Sequence, residues 1–253
     1  MHFESFYPPA FLDNVFKKFS GVEAYHEAFP NLMMFPNFAF HNQKEKKILQ
    51  KIFEAARIEL MLNAFIKEKI FIETNHCLVF FAYQISELFP KAKFVHITRH
   101  PGDFVRSAIM KGWHKNDTIW ENNRIRMGDH MEWETKTQIE KLSWLWNSTH
   151  SYIDNFLNTV PNERLTVKLE ELTSSKSKFN EMTAFLNKDF VLDNSLVIKI
   201  QSEKINELFI GNSEPDNMFK LANYPKYGEW NDDLKGQLRS NCAKLATEYE
   251  YII

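Results

Sequence analysis

The stretch from Lys93 to Ser107, which reads KFVHITRHPGDFVRS, predicts a buried strand, a sharp turn and then a helix. Arg99 stands at the end of the strand, and Ser107 lies about two helical turns further on. Free N–H groups and the helix dipole favour an anion at a helix N-terminus, and arginine can grip one with two parallel hydrogen bonds. The junction therefore predicts either an anion site or a structural ion pair between Arg99 and Asp103.

Strands and helices alternate along the rest of the chain. The residue pattern predicts strands over 69–73, 93–98 and 164–169. Apolar residues at helical spacing predict helices over 9–19, 43–67, 78–88, 103–112, 138–158, 176–187 and 234–249, and a less regular one over 201–211. Residues 30–42 and 113–135 are typical of loops. The alternation favours an α/β fold with three layers, α/β/α, around a mostly parallel central sheet.

Composition narrows the class of protein further. The chain has 253 residues, enough for one sizeable domain over 1–253, with 44% apolar and 25% charged residues. Its net charge of −2 argues against a nucleic-acid partner but leaves room for a local cationic cleft. Cys77 and Cys242 have no metal-ligand spacing. Because neither a long apolar run nor a signal-peptide pattern is found, we expect a cytoplasmic protein without a membrane span.

Four residues of the opening stretch have the spacing R-x-P-x-D-x-x-x-S, namely Arg99, Pro101, Asp103 and Ser107. This pattern, in its strand–turn–helix context, resembles the 3′-phosphate-binding segment of the bacterial-type PAPS-dependent sulfotransferases. The resemblance implies a P-loop NTPase-like sulfotransferase fold, with Arg99 and Ser107 holding the 3′-phosphate of PAPS (3′-phosphoadenylyl sulfate). It also implies transfer of a sulfuryl group to a hydroxyl or amine of a small-molecule, glycan or lipid acceptor, without a metal.

Two residues are candidates for the general base that such a transfer needs. Glu27 follows the first helix and a predicted strand, where a carboxylate is either a surface group or a base. The resemblance implies the second role, because several branches of the family have a Glu at a similar place; its neighbour His26 is a further possibility. His76 ends the segment FIETNH at the end of another strand, where ligands bind in α/β sheets. The sequence leaves Glu27 and His76 open, and we prefer Glu27.

A third segment, from Lys226 to Asn231, reads KYGEWN. It weakly resembles the family's C-terminal G-D-W-K segment, which implies that Lys226, Gly228 and Trp230 contact the donor nucleotide. A loop with a Trp packed into the core is an equally good reading of these residues. The segment 113–135, rich in Trp, His and Arg, is interpreted as a solvated loop anchored by its indoles rather than as a lid over an acceptor pocket.

One part of the family pattern has no counterpart. The family begins with a strand and a loop of the form K/R-S-G-T-T, which cradles the 5′-phosphosulfate and balances its charge. The corresponding residues, Phe6 to Ala10, have no Gly, cation or Thr, and Pro8 and Pro9 lack N–H donors. Phe3 and Phe6 are candidates for a short first strand. We therefore hold three explanations open: a loop encoded upstream of Met1, a rearranged donor site, or a non-catalytic nucleotide-binding or scaffold protein on the same fold.

Overall fold

The computed structural model describes residues 3–4, 10–115, 123–190 and 224–253, with side chains from residue 12 onward. Its strands are β1 Phe3–Glu4, β2 Val22–His26, β3 Ile70–Thr74, β4 Phe94–Thr98 and β5 Arg164–Lys168. The predicted helix over 201–211 and most of the segment aligned with the 5′-phosphosulfate loop lie outside the described residues.

The helices between and after these strands account for most of the chain. They are α1 Ala10–Phe16, α2 Pro36–His41, α3 Lys46–Ile66, α4 Ala82–Leu88, α5 Pro101–Met110, α6 His130–Thr135, α7 Gln138–Thr159, α8 Leu169–Ser174, α9 Lys176–Leu186 and α10 Asp232–Glu248. Two short 3₁₀ helices cover His76–Phe81 and Tyr227–Glu229.

All paired strands run parallel. Strand β2 pairs with β3, while β4 pairs with β1 on one side and β5 on the other. Strand β1 also contacts β3, so the two hydrogen-bonded groups, β2-β3 and β1-β4-β5, lie next to each other at these strands. Phe3 therefore belongs to the short first strand that its sequence suggested. The carboxyl ends of β2, β3 and β4 share one edge of the sheet, where ligands of α/β folds bind.

Two apolar clusters lie on the two faces of the sheet, because successive side chains of a strand point to opposite faces. Phe94 of β4 belongs to the cluster that contains buried residues of α3, α4, α5, α7 and α10. Val95 and Ile97 of the same strand belong to the other cluster, with buried residues of α1, α8 and α9. Helices on both faces of a parallel sheet confirm the predicted α/β/α architecture.

The longest helix, α7, crosses the fold beside α5 and α10. A capping box starts it: the Thr137 hydroxyl accepts the Glu140 N–H (3.2 Å) and the Glu140 carboxylate accepts the Thr137 N–H (2.8 Å). Its buried Trp146 reaches the carboxyl end of β4, where the Trp146 indole N–H donates to the Arg99 carbonyl oxygen (3.0 Å). The fold thereby fixes the backbone at the junction that the sequence singled out.

Among the described helices, none is both long enough and apolar enough to cross a membrane.

Candidate functional site

Arg99 follows β4 at the ligand-binding edge of the sheet, and α5 begins two residues later at Pro101. Its side chain is half-buried and forms no hydrogen bond or ion pair with any residue of the described ranges. Burial lowers the pKa of Arg99, and the charges of Asp103 and Glu170 only partly oppose this effect. Asp103 is exposed and does not pair with Arg99, so the structural ion pair considered from the sequence is not formed. A desolvated cation without a partner is unfavourable, and an anion would supply the partner.

Ser107 lies on α5, further along the same helix. Its side chain is half-buried, and its hydroxyl makes no hydrogen bond within the described part of the chain. Arg99 and Ser107 thus both have unused hydrogen-bonding capacity close to one helix start, as the sequence pattern predicted for an anion site.

The N-terminus of α5 contributes less than the sequence suggested. Pro101 has no N–H, and the Gly102 N–H donates to Nδ1 of His100 (3.1 Å), the residue that caps the helix. His100 is itself held, because its own N–H donates to the Glu170 carboxylate (2.9 Å). An anion at this junction would therefore have to be bound mainly by the side chains of Arg99 and Ser107, rather than by free backbone N–H groups.

Glu27 and His76, which the sequence offered as alternative bases, are hydrogen-bonded to each other. The Glu27 Oε1 and His76 Nδ1 atoms are 3.1 Å apart. The parallel pairing of β2 and β3 explains this contact, since His26 lies opposite Thr74 and the Glu27 N–H donates to the Thr74 carbonyl oxygen (3.0 Å). Glu27 has φ of 45°, a left-handed conformation that favours glycine. Such local strain is concentrated at functional sites.

The electrostatics of this pair assign each member a charge state. Burial acts to raise the pKa of Glu27, but the hydrogen bond from His76 and nearby positive charges outweigh it and lower the pKa to about 2. Burial lowers the pKa of His76, against the influence of Glu27. At neutral pH we therefore assign a Glu27 carboxylate and a neutral His76 whose Nδ1–H donates to it. Nε2 of His76 then carries the lone pair, with the Cys77 sulfur 3.5 Å away.

A buried ion pair makes the strand end that carries His76 rigid. Arg57 of α3 donates from Nε and Nη2 to the two carboxylate oxygens of Glu73 at 2.6 and 2.7 Å, and both side chains are fully buried. The Asn75 amide donates to Glu73 (2.9 Å), and its oxygen accepts the Cys77 N–H (2.9 Å). These bonds cap the 3₁₀ helix that begins at His76 and so determine where the imidazole lies.

The C-terminal segment around Tyr227–Glu229 packs against α5, the helix that carries Ser107. The Tyr227 ring covers the Cα of Gly102 so closely that any side chain at that position would clash. Arg106 donates from Nε to the Tyr224 carbonyl oxygen (3.0 Å). The structure thus brings the segment next to the Arg99–Ser107 motif.

Within this segment the three predicted nucleotide contacts have different surroundings. Trp230 is buried and its indole N–H donates to the Pro225 carbonyl oxygen (3.0 Å), as the core-packing interpretation requires. Lys226 and Gly228 are exposed. Trp230 therefore shapes the loop, while Lys226 and Gly228 face solvent beside the α5 junction.

Other residues near the Glu27–His76 pair were not named as site residues from the sequence, although some of them lie in the segment 113–135. A small pocket beside His76 is lined by Met33, Pro36, Phe80, Arg124 and Ile125. Arg124 is buried and stacks on Trp113, with its guanidinium carbon 3.7 Å from the centroid of the indole ring. The indole anchor expected in 113–135 is present at Trp113 and Trp133, which are both buried. In the ranges described, no group of three or more His, Cys, Asp or Glu side chains could hold a metal ion.

Comparison with known proteins agrees with this architecture. The model of the sulfotransferase family matches residues 5–184, well over half of the chain, so the protein belongs to the sulfotransferase family. Its structure is similar to that of the sulfotransferase domain from the curacin biosynthetic pathway, with a TM-score of 0.54 and 13% sequence identity. That similarity covers 100% of this chain and 98% of the domain, and at such low identity it shows the fold alone. No curated protein matches the sequence significantly.

Proposed function

We propose that this member of the sulfotransferase family moves a sulfuryl group from PAPS to a hydroxyl or amine of a small-molecule, glycan or lipid acceptor. One observation carries the proposal: Arg99 is a half-buried guanidinium with no partner in the described ranges, at a strand–helix junction on the ligand-binding edge. An anionic ligand offsets the cost of desolvating this cation.

The donor fits the residues that are available. Arg99 and Ser107 would hold its 3′-phosphate. The C-terminal segment with Lys226, Gly228 and Trp230 packs against α5 and would lie beside the bound nucleotide. When bound, PAPS supplies the sulfuryl group that is transferred. The chain's own contribution is to bind the nucleotide, orient it and remove the proton of the acceptor.

His76 is the better base of the two candidates. With a pKa of about 2, the Glu27 carboxylate is a weak proton acceptor at neutral pH, whereas a neutral imidazole accepts a proton readily. We infer that Nε2 of His76 takes the acceptor's proton and that Glu27 stabilises the resulting imidazolium through Nδ1. Proton transfer of this kind contributes about 10²–10⁴-fold to a rate. The apolar lining of the adjacent pocket favours an acceptor with an apolar body next to its nucleophile.

Binding of the desulfonated nucleotide PAP tests the donor site directly. Isothermal titration calorimetry is carried out with wild type, Arg99→Ala and Arg164→Ala. Arg164 is an exposed arginine at the amino end of β5, away from the carboxyl ends of the strands, and serves as the matched control. We expect micromolar binding by wild type and Arg164→Ala, and its loss in Arg99→Ala. An Arg99→Ala variant that binds PAP like wild type would contradict the assignment.

The alternative is a non-catalytic nucleotide-binding or scaffold protein, which is favoured by Pro8 and Pro9 where the family has its 5′-phosphosulfate loop. Conversion of PAPS to PAP in the presence of a panel of phenols, alcohols and amines separates the two functions. A sulfotransferase produces PAP with at least one acceptor, and His76→Ala abolishes this turnover while it still binds PAP. Tight PAP binding by wild type without turnover on any acceptor supports the alternative.

The remaining expectations stay predictions: one domain over 1–253, a cytoplasmic location, and neither a metal nor a nucleic-acid partner.

A further inference from the structure

Three side chains from different parts of the chain meet at the indole of Trp113. The Arg124 guanidinium carbon lies 3.7 Å from the ring centroid, and the Lys111 ammonium nitrogen lies 5.8 Å from it. The His76 ring is nearly parallel to the indole, at an angle of 20° and a centroid distance of 6.4 Å. Trp113 is buried, so its indole is fixed in place. Cation–π attraction holds the two cations on this ring, beside the Glu27–His76 pair.

The charges around Trp113 link the candidate donor site to the candidate base. Removal of the Lys111 ammonium group from water, together with the charges of Arg99 and Arg124, lowers the pKa of Lys111 to about 8, while Glu27 opposes the shift. The charge of Arg124 also lowers the pKa of both Glu27 and His76. Lys111 therefore lies within electrostatic range of both Arg99 and Glu27.

Like charges held together raise the free energy of a site, and a bound anion lowers it again. In the proposed function Arg99 binds the nucleotide and His76 acts as the base. The anionic group that would lie between these two residues is the sulfuryl group that is transferred. From the positions of these side chains we infer that Arg124 and Lys111, mounted on Trp113, bind the sulfuryl oxygens of the donor. They would replace the cation of the 5′-phosphosulfate loop, whose residue types are missing from Phe6 to Ala10. This inference rests on the proposed function, because it requires PAPS as the donor.

The difference in affinity between PAPS and PAP isolates the sulfuryl group, since the two nucleotides share every other atom that matters for binding. Calorimetric dissociation constants are measured for both with wild type and Arg124→Gln, in the absence of an acceptor. We expect wild type to prefer PAPS. Arg124→Gln should bind PAP as wild type does and reduce the preference for PAPS about tenfold or more, the effect of losing a charge-assisted hydrogen bond.

Three further variants separate charge from structure. Arg124→Lys keeps the charge and should restore part of the preference for PAPS. Lys111→Gln should reduce the preference in the same direction. Part of the Lys111 residue is exposed, although its ammonium group is shielded from water, so this variant decides the question if Arg124→Gln does not fold. Arg126→Gln, in the same segment but outside the pocket lining, is the matched control and should leave both affinities unchanged.

The outcomes are distinguishable. A wild type that binds both nucleotides equally, or Arg124→Gln and Lys111→Gln variants that keep the full preference for PAPS, would overturn the inference and leave the proposed function standing. A wild type that binds neither nucleotide would overturn both.

Discussion

Two arginines near the ligand-binding edge of one sheet have opposite surroundings. Arg57 is fully buried, bonds both oxygens of Glu73 and donates to the Pro30 carbonyl oxygen (2.7 Å). Arg99 is half-buried and has no partner among the residues described. A buried cation with a complete set of acceptors stabilises the fold. For a cation without acceptors, the desolvation free energy is not offset until an anion binds. The comparison separates a structural cation, Arg57, from a candidate for ligand binding, Arg99.

Removal of the structural cation should have the largest effect on stability. Arg57→Ala leaves the Glu73 carboxylate buried without its partner, and we expect a loss of about 3–5 kcal/mol in the free energy of unfolding. Urea unfolding followed by circular dichroism measures it. The double variant Arg57→Met/Glu73→Leu removes both charges and should recover much of the loss. A single variant as stable as wild type would show that the pair is not structural.

Glu27 provides a pH-dependent test of the neighbouring strand end. Its pKa is lowered in the folded protein from the usual 4.5 to about 2, so the carboxylate stabilises the fold above pH 4.5. This contribution is lost as the pH falls towards 2, because the unfolded chain binds the proton first. We expect Glu27 to contribute about 1–2 kcal/mol to the free energy of unfolding. This is less than the whole pKa shift corresponds to, because water reaches part of the side chain. Stability curves of wild type and Glu27→Gln should converge over this interval, and parallel curves would contradict the assignment.

Ser107 provides a second test of ligand binding, beside that of Arg99. Ser107→Ala removes one hydroxyl that has no hydrogen bond in the described part of the chain, so no hydrogen bond among those residues is lost. If the hydroxyl binds the 3′-phosphate, the loss in PAP binding should be about 0.5–1.5 kcal/mol, well below that of Arg99→Ala. Isothermal titration calorimetry with PAP measures the affinities of the Ser107→Ala and Arg99→Ala variants. Equal affinities of Ser107→Ala and wild type would remove Ser107 from the site.

The smallest expected effect on stability is that of Arg99→Ala. Because the Arg99 side chain has no hydrogen bond or ion pair to lose within the described ranges, its removal should change the free energy of unfolding by less than about 0.5 kcal/mol or raise it slightly. Urea unfolding of the nucleotide-free protein, beside Arg57→Ala, makes the contrast direct. A loss comparable to that of Arg57→Ala would mean that Arg99 is structural after all.

Local pattern predicted the elements well where they are long or chemically distinctive. The predicted helix over 138–158 is α7, Gln138–Thr159, and the strand over 93–98 is β4, Phe94–Thr98. Residues 30–42, expected to be a loop, contain helix α2, Pro36–His41. A helix of this length presents too few residues for a periodic pattern, and its packing against the 3₁₀ helix at His76 decides its conformation.

In the candidate site, too, local sequence patterns predicted some features and packing decided the others. The motif spacing singled out Arg99 and Ser107, and both lie at the predicted junction. Glu27 and His76 were predicted as competitors, yet the register of β2 and β3 makes them a hydrogen-bonded pair. The composition of 113–135 drew attention to its Trp and Arg residues, but it did not predict that Arg124 stacks on Trp113, because that contact depends on how the segment folds.

The sequence by itself determined the family, the α/β/α class and the residue types at the candidate anion site, since these depend on periodicity and on short-range spacing. Only the tertiary structure decided which of the charged groups have partners. Arg57 obtains Glu73 because α3 packs over β3. Arg99 obtains no ion pair among the described residues, since the nearby Asp103 is exposed and does not pair with it. Partners are contributed by elements distant in the chain, so the free energy of a buried charge is a property of the packed fold and not of its local sequence.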